Sequence, residues 1–87
     1  MLRLAITTTI PSKKGTGMIW FVLETDLNDM VDVHNRLVTD GCIRGTKVMT
    51  ADGVDGDRVV TAREPFIIGK GAVGTIAPCH FNYREVA

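Results

Sequence analysis

Residues 18–41 read MIWFVLETDLNDMVDVHNRLVTDG, and the fold turns on this stretch. Its opening run, Met18 to Leu23, is apolar without a break. That is far too short for a membrane span, which takes about 20 residues. It suits a strand apolar on both faces, either central or turned toward another subunit. Successive strand side chains point to opposite faces. One set is therefore Met18, Trp20 and Val22, and the other is Ile19, Phe21 and Leu23. A single helix covers only one face of a small sheet. Trp and Met are enriched at interface cores, so Met18, Trp20 and Val22 are expected at a subunit contact and the other set in the core.

The second half of the stretch changes period. Leu27, Met30, Val31, His34, Leu37 and Val38 recur at helical spacing, which predicts an amphipathic helix over 26–40 with that stripe buried. Thr25 or Asp26 can cap its first amides, and Gly41 supplies the left-handed residue that ends it.

Outward from there the chain reads as strands. Leu2, Leu4 and Ile6 alternate with Arg3, Ala5 and Thr7, a half-buried strand. Residues 11–17 form a polar, glycine-containing turn. Cys42 to Thr50 is a strand with Gly45 as a candidate bulge, and 51–57 is a loop. Arg58 to Arg63 is a strand ended by Glu64-Pro65, since proline has no ladder donor. Short strand segments follow at 66–68 and 72–77, then an edge strand where Cys79, Phe81 and Tyr83 alternate with His80, Asn82 and Arg84. The pattern β-β-α-β-β-β-β predicts an α+β domain over residues 1–87. Its sheet should be mostly antiparallel, strongly bent or closed into a small barrel, with one packed amphipathic helix.

Composition narrows the function classes. The 87 residues include ten basic and ten acidic side chains and carry no net charge. Non-specific nucleic-acid binding draws on a basic excess that is missing here. Forty-five per cent of residues are apolar, rich for so small a body, and burial against another copy is the usual resolution. The N-terminus has no long apolar core of a signal peptide, and two cysteines make no disulfide framework. The expectation is a soluble, cytoplasmic protein with Cys42 and Cys79 as free thiols.

The chain holds one literal Gly-x-Gly-x-x-Gly, Gly69 to Gly74, after Phe66-Ile67-Ile68. Dinucleotide binding requires a helix after such a loop, so that its amides hold a pyrophosphate, and then another strand. Pro78 and the short remaining chain leave no room for them. A kinase-like nucleotide hairpin would need a catalytic lobe. The loop therefore reads as a tight turn or bulge, with Lys70 a weak anion candidate. His34 is a weak ligand candidate within the helix stripe, and Cys42 lies close enough in sequence for a Cys–His pair. Cys79 and His80 point to opposite faces of a strand. The four Cys and His residues have none of the paired spacing of a zinc site. Asp52, Asp55 and Asp57 miss the calcium-loop spacing. Arg44, Lys47, Arg58 and Arg63 on neighbouring strands could share one face. Ile43-Arg44-Gly45 resembles the Ile-Arg-Gly of Sm-like RNA-binding barrels over three residues only. In that family the motif lies near the domain's end, so no membership follows.

No cofactor is implied, and no nucleophile–base–orienter set assembles. The best expectation is a small homo-oligomeric binding module, a dimer or tetramer, without catalysis. The alternative is a small enzyme or metabolite-binding protein with a pocket at a subunit interface using His34 or Cys42. Nucleic-acid binding through an arginine-bearing sheet face comes third.

Overall fold

The computed structural model describes residues 1–13 and 17–85, the side chain of Asp55 excepted, so the middle of the expected turn over 11–17 lies outside the described residues. The elements are β1 (Leu2–Pro11), β2 (Met18–Thr25), α1 (Met30–Asp40), β3 (Cys42–Asp52), β4 (Arg58–Gly69), β5 (Val73–Pro78) and β6 (Tyr83–Arg84). Short 3-10 turns occupy Val54–Gly56 and Lys70–Ala72. All six strands form one sheet in the order β5-β1-β2-β3-β4-β6. Only β4 and β6 run parallel, so the sheet is mixed. The fold is α+β with one helix. The sheet is open, with β5 and β6 at its two edges, which corrects the barrel alternative.

The expected break at Pro65 does not occur. Arg58 to Gly69 is one strand with Pro65 inside it, opposite Thr46 of β3. Among the described residues β4 has no strand on its other side at this point, because β6 pairs with Arg58 and Val59. A proline is tolerated at such an edge when its missing N–H would have faced outward. Gly45 is likewise in register with Phe66, and the irregularity falls between Met49 and Thr50. Glycine is needed at 45 for another reason: a Cβ there would collide with the Glu24 carbonyl oxygen of β2. That close approach lies at a narrow seam, where β2 and β3 pair over only Val22–Glu24 and Thr46–Val48.

The helix starts at Met30, later than its periodicity suggests. Asp29, not Thr25 or Asp26, is the cap, accepting from the Asp32 amide at 2.9 Å. Thr25 instead accepts from the Leu27 amide, and Asp32 from that of Asn28, holding 26–28 as a turn. Gly41 ends the helix at φ 74°, donating its amide to the Leu37 carbonyl at 3.0 Å. The buried face also differs. Val33, outside the expected stripe, is fully buried, while Met30 and Leu37 are half-buried beside it. Val31, His34 and Val38 are exposed. Six apolar-leaning positions spread over a broad sector of the helix, and their spacing does not fix which line within it meets the sheet. Packing over β3 selects Met30, Val33 and Leu37.

The core has two parts. On the helix side Leu4, Ile6, Phe21, Leu23, Val33, Ile43 and Ile68 pack together. On the other side Val22, Val48, Val60 and Tyr83 form a smaller cluster, flanked by Cys79 and Phe81. The C-terminal segment after β5 lies across this second face and ends against the start of β4.

Candidate functional site

Strand alternation places Val22 and Glu24 on the face away from α1. The Glu24 carboxylate is almost fully buried there, at 8% exposure. A buried carboxylate must be paired or hydrogen-bonded. The Tyr83 hydroxyl donates to Glu24 Oε2 at 2.7 Å, Arg63 Nη2 lies 3.4 Å from the same oxygen, and Arg3 Nε 3.8 Å. The Arg3 guanidinium also sits 4.5 Å from the Tyr83 ring centroid. Arg63 reaches on to Glu85. Burial and the hydrogen bond to Glu24 push the Tyr83 phenol well above its ordinary value. The phenol therefore keeps its proton and donates a hydrogen bond to the carboxylate, and the cluster fastens the C-terminal segment to the sheet.

Beside it, Phe81 meets Trp20 and Tyr83 edge-on at 6.0 and 6.2 Å. The Arg58 guanidinium lies 5.6 Å from the Trp20 ring and 5.3 Å from that of Phe81. It also donates to Thr50 and pairs with Asp52 at 3.1 Å.

A cleft of about 950 Å³ opens where β2 leaves the sheet for the helix, lined by Leu27, Cys42, Arg44, Phe66 and Ile67, with Glu24 at its wall. Asp26, Arg36 and Asp40 line it too, so its mixed lining and half-buried Cys42 suit a small molecule with an apolar body and a polar group. His34 is exposed and does not line the cleft, so the Cys42–His34 pair that the sequence allows is not assembled there.

The sheet-face candidates separate. Val22 is buried at 1%, covered by the second core cluster, which corrects its assignment to a surface contact. Met18 and Trp20 remain 49% and 47% exposed. Ile19, assigned above to the core, is 38% exposed. Arg58 and Arg63 are engaged by Asp52, Glu24 and Glu85, while Lys47 lies on the helix side over Phe21 and Phe66 and pairs with Glu64. The four basic residues therefore do not form one cationic face. Asp57 pairs with Arg84, and no three His, Cys, Asp or Glu side chains gather as a metal site among the described residues.

The Gly-x-Gly-x-x-Gly runs from the end of β4 through a 3-10 turn into β5, with no α-helix after it among the described residues. Lys70 is exposed, and its backbone amide is already donated to the Gly41 carbonyl at the helix end, at 2.9 Å. At Gly74 the β1–β5 register slips, and a Cβ would lie 2.9 Å from the Thr7 carbonyl oxygen.

Glu24, Arg3 and Tyr83 were not singled out from the sequence. The usable signal was the continuation of β2 alternation past Leu23, which buries an acid and so demands cations nearby. No protein-family model, curated protein sequence or solved structure matches this chain.

Proposed function

We propose that this protein is a small homo-oligomeric binding module, a dimer or tetramer, whose self-contact is built on Met18 and Trp20. The exposed start of β2 carries this reading: Met18, Ile19 and Trp20 are each more than one-third exposed, while every residue from Phe21 to Thr25 is buried. A large aromatic beside methionine on an otherwise well-packed strand has the composition of an interface core. The apolar surplus of the chain supports the same reading, and two free thiols support a reducing, cytoplasmic setting. Light scattering after size exclusion tests it. The wild type is expected to exceed the monomer mass, and Trp20→Glu to reduce that mass, because an unpaired charge is costly to bury in a contact. A wild type that stays monomeric at high micromolar concentration refutes the reading.

A second reading, a metabolite-binding protein or small enzyme, draws on the cleft beside Cys42. Native mass spectrometry that retains a small molecule, lost on Cys42→Ser or Phe66→Ala, would favour it. Nucleic-acid binding is the least supported, because Arg58 and Arg63 are already held by carboxylates.

A further inference from the structure

The two edges of the sheet are not equivalent. Beyond Val59 the outer edge of β4 has no strand beside it among the described residues, and it carries Arg63, Glu64 and Pro65 exposed in a row. Charges and a proline are the usual guards against pairing with another chain. The other edge, β5, reads Val73-Gly74-Thr75-Ile76-Ala77-Pro78, with no charge, and among the described residues its strand neighbour is β1 alone. Its outward backbone groups can be read from the register. Cys79 N–H donates to the Arg3 carbonyl at 3.0 Å, one residue beyond the Leu4–Pro78 pair. Antiparallel pairs alternate between bonded and non-bonded. Ala77 and Thr75 therefore spend their polar groups on β1, and Ile76 and Pro78 turn theirs away from it.

We infer that β5 pairs antiparallel with β5 of a second copy, about a two-fold axis through Ile76. An unpaired strand edge is satisfied by another extended backbone, and an identical antiparallel strand is self-complementary about a two-fold. In this register the two Ile76 residues exchange N–H and C=O groups. Pro78, which has a carbonyl but no N–H, ends the ladder on each side. Thr75 faces the second copy's Ala77. Both are exposed, uncharged and small enough to meet without a clash. Trp20, Thr7 and Thr75 lie in one row across β2, β1 and β5. At about 4.8 Å per strand, Trp20 stands roughly 10 Å in from the edge. Flanked by Phe81 and Arg58, it stays about half exposed on the face of the joined sheet.

This inference rests on the self-association proposed above but uses a different surface. Where their axes are perpendicular and intersect, two such two-fold contacts, edge and face, close as a tetramer.

The test is the mass of four proteins by light scattering, with circular dichroism of each. Wild type is expected as a tetramer. Thr75→Lys with Ala77→Lys sets lysine against lysine across the proposed axis and should halve the mass. Thr75→Lys with Ala77→Glu sets lysine against glutamate and should keep the wild-type mass, which also shows that the edge tolerates charge without unfolding. Trp20→Glu should halve the mass through the face. A double-lysine variant with wild-type mass overturns the edge inference while leaving the face reading intact. So does loss of mass in the lysine–glutamate variant, which denies the register. A wild-type dimer dissociated by the double lysine but indifferent to Trp20→Glu keeps the edge and refutes the face.

Discussion

The two faces of the sheet are closed by different means. The helix side is sealed by apolar side chains from five strands and one helix, and Leu4, Ile6 and Leu23 have no exposure at all. The opposite side is sealed by a short segment whose strand, β6, is two residues long. Besides the small apolar cluster of Val22, Val48, Val60 and Tyr83, it is held by one buried carboxylate, one phenol and two guanidinium groups. The first face depends on area, which is non-directional and tolerates small shifts. The second depends on geometry, where removing one partner leaves another buried and unsatisfied.

The largest effect expected is on the helix side. Leu23→Ala should cost about 2–5 kcal/mol in urea unfolding, as truncation of a fully buried leucine does. A loss below about 1 kcal/mol would mean that this face is not the main core. On the other side, Tyr83→Phe should cost about 1.5–3 kcal/mol, the range for a hydrogen bond to a charged group. A double-mutant cycle with Glu24→Gln should show strong coupling, and simple additivity would deny the cluster.

The same phenol separates the faces by pH. Its folded value is raised above the ordinary 10.0. The unfolded chain therefore loses this proton first, and native stability falls as pH rises above about 10. This slope should be absent from Tyr83→Phe and unchanged in Leu23→Ala. Equal slopes in wild type and Tyr83→Phe would assign the alkaline sensitivity elsewhere. The smallest effect belongs to the outer side of α1. Val31→Ser, at a position 65% exposed, should stay within about 0.5 kcal/mol of wild type in the same titration. A loss above about 1.5 kcal/mol would restore the wider buried stripe.

Periodicity made the helix-side core legible. Leu2–Ile6, Phe21, Leu23 and the existence of one helix ended by Gly41 follow from spacing and from a residue that can adopt positive φ. The line of contact on α1 was hidden, because Val31, His34 and Val38 fit a helical stripe as well as Val33 does. The second face was hidden for a stronger reason. Val22 looks like an outward residue until Tyr83, far along the chain, is known to cover it. Glu24 looks like a strand end until Arg3 and Arg63 are brought beside it. Such closure is set by tertiary pairing that no local window contains. Pro65 was misleading in a related way, since a proline stops a strand only where its neighbour needs the missing donor.

The glycine turn between β4 and β5 bears on how this sequence would drift. A side chain at Gly74 would press on the Thr7 carbonyl, whereas Gly71 has open space where its Cβ would be and Gly69 has nothing closer than 4.0 Å. Neither Gly69 nor Gly71 carries a positive φ. Purifying selection should therefore act on the third glycine and leave the first two free to change. In descendants of this chain the apparent nucleotide fingerprint would erode from its N-terminal end while the fold stayed intact. That is the opposite of the pattern a phosphate-binding loop would keep, where the leading glycines make the turn and admit the ligand.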